Sequence, residues 1–336
     1  MTRKIMVALL VVSLFLLVSC GTGGTERGFG RRGSNVNADE DFLKGTRGLD
    51  IKLADPDVIV VPEEQSAQFD LIVENMGRSN IEGGKILLSG FDEKFIKFLD
   101  NQKKQEFNIN GKNRYGPGGQ VYVLFKSEKT KLSGTSVASF GPGSGIERLE
   151  QPVTVNVCTK EVTSIQIPIC VDLDPLRDGK CPTEVTKSFS EGQGAPVGLV
   201  SMTQKSYRKD NDEVRLNLDF TFEQFDKSND AMVFDKEIEL CTTGSMPPDL
   251  YQKQDDVSFT FRSDFGVGMT CPGLTHGTKT DYASQNYGSF DLVRRPTIRC
   301  YVDVPITGEY LNSVLDFSLE YKMWYKVTQP IVIEKY

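Results

Sequence analysis

The C-terminal part of the chain carries the clearest constraint on the fold, an alternation of apolar and polar side chains with period two. Across residues 315–327 every second residue is apolar, and the residues between them are polar apart from Trp324. Such alternation predicts an antiparallel β-strand with one buried face and one polar face. A strand of this length exceeds the usual range, so we expect a bend or a bulge within it.

Shorter segments of the chain repeat this pattern. Apolar and polar residues alternate strictly across residues 214–222 and nearly so across residues 69–73. Short strands separated by turns rich in glycine and proline are typical of β-sandwiches and barrels. We therefore predict an all-β protein with two sandwich domains, at residues 45–157 and 195–336, joined by a connector at residues 158–194.

The first twenty residues have the pattern of an export signal. Arg3 and Lys4 precede an apolar run at residues 5–18, which is too short for a comfortable bilayer span. The run ends in Leu-Val-Ser-Cys-Gly, which resembles the lipobox of prokaryotic lipoproteins. We expect residues 1–19 to be removed as a signal peptide and Cys20 to carry the lipid that anchors the protein to the outer face of the cell membrane. The alternative is a plain signal peptide with a chance cysteine.

Composition narrows the classes of function. The chain is acidic, with a net charge of −7 and no basic block, which argues against nucleic-acid binding. His276 is the one histidine, so a zinc site of several histidines is impossible and a histidine-based triad is not expected. We interpret His276 as an exposed loop residue. Residues 20–44 are rich in Gly, Arg, Asn and Asp, and we interpret them as the lipidated cysteine followed by a flexible linker.

The remaining six cysteines indicate an oxidising compartment. An even number of cysteines in an exported chain is typical of disulfides. The chain has no Cys-x-x-Cys pair, the spacing that would favour a zinc cluster. Cys158 and Cys170 flank a predicted turn at residues 162–164 symmetrically, so a hairpin there would place them within reach of a cross-strand disulfide. Cys271 and Cys300 are also better explained by a disulfide than by a nucleophile. The candidate disulfide cysteines are Cys158, Cys170, Cys181, Cys241, Cys271 and Cys300.

The cysteine-flanked connector resembles a family of archaeal surface lipoproteins. The resemblance rests on Cys-Val-Asp-Leu-Asp-Pro at residues 170–175, on Cys181 and on Gln-Gly-Ala-Pro-Val at residues 193–197. In the same pattern a Gly-Thr-x-Gly-Leu stretch, here at residues 45–49, introduces the first sandwich, and the resemblance covers residues 45–305. It implies six paired cysteines, two tandem immunoglobulin-like domains and surface anchoring, and it implies no known reaction.

Two acidic segments have alternate oxygen-bearing side chains of the kind that can wrap a calcium ion. Neither has the full EF-hand pattern, and Asp, Asn and Ser are ordinary turn formers. We interpret both segments as solvated turns and predict no metal site. They contain Asp172, Asp174 and Asp178 in the connector, and Asp226, Ser228 and Asp230 in a later loop.

Trp324, the only tryptophan, lies on the polar face of the C-terminal strand by the alternation. One interpretation is that a neighbouring loop or domain covers it. The other is that it is exposed and anchors a partner, because tryptophan is enriched at binding hot spots. Lys322 and Lys326 flank it in the way that charges protect the edge of a sheet.

These patterns predict a non-catalytic, lipid-anchored cell-surface protein with no cofactor, used for adhesion, envelope structure or the binding of other surface proteins. A first alternative is a filament subunit assembled by strand addition through the C-terminal strand and the tail at residues 329–336. A second is an exported hydrolase or solute-binding protein, which would need a pocket with convergent polar groups.

Overall fold

The computed structural model describes residues 44–54, 57–132, 148–174, 179–242, 248–263, 268–272, 274, 279–280 and 285–335. Within these ranges the protein is all-β, as the alternating patterns predicted. In the described residues, helix is limited to α1 at Asp100–Lys103 and to 3-10 turns at Ser228–Asp230 and Pro248–Lys253. None of the helices described is long and apolar enough to cross a bilayer.

Sixteen strands follow one another along the described chain. Seven lie before Cys181: β1 (Leu49–Leu53), β2 (Ile59–Pro62), β3 (Ser66–Asn75), β4 (Ile81–Ser89), β5 (Lys104–Ile109), β6 (Gln120–Lys129) and β7 (Arg148–Asp172). The others are β8 (Glu184–Ser188), β9 (Val197–Arg208), β10 (Glu213–Gln224), β11 (Met232–Asp235), β12 (Asp256–Ser263), β13 (Lys279–Thr280), β14 (Gln285–Asp291), β15 (Thr297–Pro305) and β16 (Tyr310–Glu334).

Three sheets share one hydrophobic core. A large sheet has the order β13-β14-β12-β16-β7-β4-β5, with β2 and β11 also paired to β16, and the two smaller sheets are β1-β3-β6 and β15-β10-β9-β8. Phe220 and Phe222 of β10 pack on Phe317 of β16 with ring centroids 5.5 and 5.1 Å apart, which joins one small sheet to the large one. Phe69 of β3 and Val155 of β7 are both fully buried in the same core.

The centre of the large sheet is the antiparallel pair of β7 and β16. The two strands pair over 25 residues each, from Arg148↔Glu334 to Asp172↔Tyr310, with no shift of register. At about 3.3 Å per residue the pair is roughly 80 Å long. The C-terminal strand therefore has no bulge against β7, one of the two irregularities expected in it, and the bend stays a prediction. The expected turn at residues 162–164 is wrong, because β7 continues through these residues and pairs with β16.

The long pair is common to both halves of the chain. Strand β7 crosses the boundary predicted at residue 157 and includes the first part of the predicted connector. The end of β16 returns to the first half, where residues 331–334 pair with Arg148 to Gln151 on one side and, in parallel, with β2 on the other. The assignment of separate domains remains a prediction, whereas the described chain from residue 44 onward belongs to one compact unit.

The period-two segments fold as predicted. In β10 the side chains of Val214, Leu216, Leu218, Phe220 and Phe222 are buried, and those between them are partly exposed. The same holds for Phe69, Leu71 and Val73 in β3. Alternation thus fixed which face of each strand enters the core.

Candidate functional site

A groove of about 960 Å³ has as its floor the polar outer face of three adjacent strands. Two cross-strand rows of side chains form this floor, because residues two apart on a strand share a face. The first row is Thr260, Ser318 and Ser164, and the second is Arg262, Asp316 and Gln166, from β12, β16 and β7 in turn. In the second row the Gln166 Nε2 donates to Asp316 Oδ1 at 3.0 Å.

The loop that follows β8, at residues 188–193, forms the wall of the groove. Glycines permit its shape, since Gly192 and Gly194 have φ of +71° and +66°. The Gln193 side chain holds the loop to β9 by donating to the Leu199 carbonyl at 3.0 Å and accepting from the Leu199 N–H at 2.9 Å. A wall fixed in this way costs little ordering entropy when a ligand binds.

Charge in the groove is mixed. Its charged side chains among the described residues are Lys44, Arg78, Arg262, Glu191 and Asp316. Lys44 Nζ lies 3.0 Å from the Glu191 carboxylate, and the Asp316 carboxylate is engaged by Gln166. Hydroxyl, amide and charged groups at a concave surface are the types that orient a polar ligand.

The wall loop leads into a buried polar junction between the two halves. The Tyr321 hydroxyl accepts from the Val197 N–H at 3.2 Å and lies 3.0 Å from Thr163 Oγ1, whereas the Gly48 N–H donates to Asp226 Oδ2 at 3.1 Å. A side chain at position 48 would stand only 2.5 Å from the Tyr325 hydroxyl oxygen. The Gly45–Leu49 and Gln193–Val197 stretches that carried the family resemblance thus meet at this junction.

Glu161, on β7, contributes a second carboxylate to this junction beside that of Asp226. Its side chain is 2% exposed, and the Thr159 hydroxyl donates to its Oε1 at 3.1 Å. Burial raises the pKa of the Glu161 carboxyl to about 8, and the negative charge of Asp226 acts in the same direction. Glu161 is therefore largely protonated at neutral pH, and Tyr321 beside it stays neutral because burial raises its pKa as well.

All six candidate cysteines form disulfides, but the predicted cross-strand pair does not. The bonds are Cys158–Cys241, Cys170–Cys181 and Cys271–Cys300. Cys158 and Cys170 lie on one continuous strand, so they cannot face each other across a hairpin. The prediction for Cys271 and Cys300 is confirmed, and the paired state agrees with an oxidising environment.

Trp324 is covered, which excludes it as an exposed partner contact. It is only 4% exposed and lies in a second, smaller apolar cluster with Phe234, Leu240 and the Cys158–Cys241 disulfide. Its indole N–H donates to Asn156 Oδ1 at 3.0 Å. The alternation placed Trp324 correctly on the face away from the main core, and the chain after β11 covers that face.

In the described parts of the acidic segments, Asp172 and Asp226 accept hydrogen bonds from main-chain N–H groups of this chain. Asp172 accepts from the N–H groups of Asp174 and Lys180, and Asp226 accepts from Gly48 and Ser228. Asp230 is exposed. Among the described residues no cluster of three or more His, Cys, Asp or Glu side chains has the geometry to hold a metal ion. Asp178, His276 and Cys20 lie outside the described residues.

Sequence reasoning did not single out the groove. The alternation in the C-terminal strand did place Asp316 and Ser318 on its polar face, but nothing local brings Ser164 and Arg262 beside them. The groove exists because β7, taken for a hairpin, is one strand. Register between distant strands was the missing information.

Comparisons with known proteins add little. No protein-family model matches the chain, and no curated protein does. Two solved structures are similar to it only weakly. The secreted serine protease VesC from Vibrio cholerae shares 7% identity over 87% of this chain and 52% of its own, with a TM-score of 0.20. Spo0M, a sporulation control protein from Bacillus subtilis, shares 11% identity over 52% of this chain and 80% of its own, with a TM-score of 0.16. The chain spans about half the length of VesC, and similarities this low carry no argument.

Proposed function

We propose that this chain is a non-catalytic, lipid-anchored protein of the outer cell surface that binds other surface proteins, in adhesion or in envelope structure. The observation that carries the proposal is the set of three disulfides, which uses every cysteine after the lipobox cysteine. Disulfides persist in oxidising compartments, where they stabilise exported domains. The export signal and the resemblance to archaeal surface lipoproteins point to the same location.

The frame suits a binding role. The 25-residue pair of β7 and β16 connects both halves of the described chain, and a groove of about 960 Å³ opens on its outer face. A fixed groove on a stiff frame lowers the entropy cost of association. We assign the stacked sheets to immunoglobulin-like sandwiches on the strength of the resemblance alone.

Filament assembly through the C-terminal strand has less support. The strand at residues 331–334 already pairs with β7 on one edge and with β2 on the other. A donor strand would have to leave both partners before it joined a neighbouring molecule. Strand exchange of that kind stays the alternative, and it predicts polymers that deletion of residues 328–336 abolishes.

The test of anchoring is the variant Cys20→Ser in the full chain, expressed in a prokaryotic host that processes lipoproteins. We expect the wild-type protein to partition into detergent, to carry a lipid mass on its N-terminal peptide and to be labelled on intact cells. The variant is expected to lose the lipid mass and the membrane fraction, because residue 20 then lacks the thiol that accepts the lipid. Cys181→Ser is the matched control, since it removes a cysteine without touching the lipobox.

An unmodified N-terminal peptide in the wild-type protein would contradict the lipid anchor. Labelling only after cell lysis would contradict the surface location.

A further inference from the structure

On the outer edge of β7, side chains cap several main-chain carbonyls in the second half of the strand, but in the described part of the chain none caps the edge where it borders the groove. In an antiparallel pair, the N–H and C=O groups of one residue both point toward the partner strand, and those of the next residue both point away from it. Side chains from other elements cap three carbonyls on the edge that points away from β16, and all three belong to even-numbered residues. The pairs are Ser79 Oγ with the Val162 carbonyl, Lys187 Nζ with the Pro168 carbonyl and Gln204 Nε2 with the Cys170 carbonyl.

The two prolines of β7 fit the same alternation. Proline lacks an N–H and is tolerated in a strand where its nitrogen faces away from the ladder. Pro152 and Pro168 are even-numbered, and the register with β16 does not shift between them. The main-chain groups of Ser164 and Gln166 must therefore point to this outer edge too. In the described part of the chain no residue hydrogen-bonds to them there.

Ser164 and Gln166 are also lining residues of the groove. Natural proteins protect the edges of their sheets with prolines, charges and covering loops, because an open edge recruits other strands. Here a hydroxyl protects Val162 and a proline with a lysine protects position 168. At Ser164 and Gln166 the edge faces the groove, so an extended chain that enters the groove reaches these main-chain groups.

We propose that the groove binds an extended polypeptide segment of a partner protein by addition of that segment as a strand to β7 at Ser164 and Gln166. This inference rests on the proposed function and names the mode of binding. The N–H and C=O groups of the two residues offer four main-chain hydrogen bonds, which give affinity without sequence preference. A saccharide would use the hydroxyl-lined floor but not this alternating set of donors and acceptors.

The side chains around the edge define the chemistry of the segment. Alternate residues of the added strand lie beside Ser164 and Gln166, where small or polar side chains fit. The partner is therefore an extended peptide with small or polar residues at alternate positions.

The test is a selection of random heptapeptides on phage against the oxidised mature chain, followed by calorimetry on the synthetic peptides. The variant Ser164→Pro removes the outward N–H, and Ser164→Ala keeps it while removing the hydroxyl. We expect Ser164→Pro to weaken binding about tenfold or more, and Ser164→Ala to change it by no more than about threefold. A peptide N-methylated at every second residue is expected to lose binding when the methylated nitrogens are those that face β7. The peptide methylated at the other set of residues is expected to keep binding.

The N-methylated peptides decide the question if Ser164→Pro does not fold. Failure to select any peptide, equal binding to the proline variant, or tolerance of N-methylation in both registers would each overturn the inference. If the wild-type protein is not labelled on intact cells but still binds the peptides, the proposed function is refuted and the assignment of the groove as a peptide site remains.

Discussion

Replacing Glu161 by glutamine is expected to stabilise the protein at pH 8 and to leave its stability almost unchanged near pH 4. The folded protein holds the Glu161 proton up to a pKa of about 8, whereas the unfolded chain releases it near 4.5. The folded state thus binds more protons in between, so the free energy of unfolding falls as the pH rises through this window. The contribution of Glu161 is fully present below pH 4.5 and is lost as the pH passes 8.

The glutamine variant lacks this loss because it cannot ionise. Each pKa unit corresponds to about 1.4 kcal/mol, so the variant should be roughly 3–5 kcal/mol more stable than the wild type at pH 8. Urea denaturation at pH 4, 6 and 8 measures the difference. Glu184→Gln, at an exposed position of β8, is the control and should follow the wild type. Parallel pH profiles for wild type and Glu161→Gln would mean that Glu161 is ionised and solvated in the folded protein.

Removal of the Cys158–Cys241 disulfide should cost more stability than removal of Cys170–Cys181. The bonds close loops with sequence separations of 83 and 11 residues. The chain-entropy model assigns them about 4.5 and about 3 kcal/mol. Paired alanine substitutions test this without burying new hydroxyls, and chemical denaturation gives the free energies of unfolding.

Trp324 provides a second readout for the same variants. The segment that carries Leu240 and Cys241 packs on the indole. Loss of the Cys158–Cys241 bond should let this segment open, and the tryptophan emission should then shift to longer wavelength. The Cys170–Cys181 variant is the matched control and should keep the wild-type emission. Identical emission in both variants would show that packing alone holds the cover on Trp324.

The sequence was informative where local periodicity decides the structure. In β10 and in the apolar residues of β16, a strict alternation leaves one register that buries every large side chain, and the structure adopts it. The paired state of the six cysteines was predicted from their even number in a chain with a predicted export signal. The first inference depends on residues that are close together in the sequence, and the second depends on the number of cysteines.

It was uninformative where contacts join distant residues. Thr159, Glu161 and Thr163 continue the inward face of β7, but three polar residues in a row of inward positions resemble a turn. Contacts with distant residues explain their burial, since the Thr163 hydroxyl donates to the Val197 carbonyl and lies 3.0 Å from the Tyr321 hydroxyl. The cover over Trp324 and the open edge at Ser164 depend in the same way on long-range pairing.

Hydrogen exchange by NMR at single residues tests the open edge of β7 most directly, in the free protein and without a ligand. The amides of Ile165 and Ile167 face β16, where they are partnered by Phe317 and Leu315, and they should exchange slowly. The amides of Ser164 and Gln166 should exchange much faster, although they lie in the same strand. Slow exchange at all four positions would contradict the account, because the edge at the groove would then already be occupied.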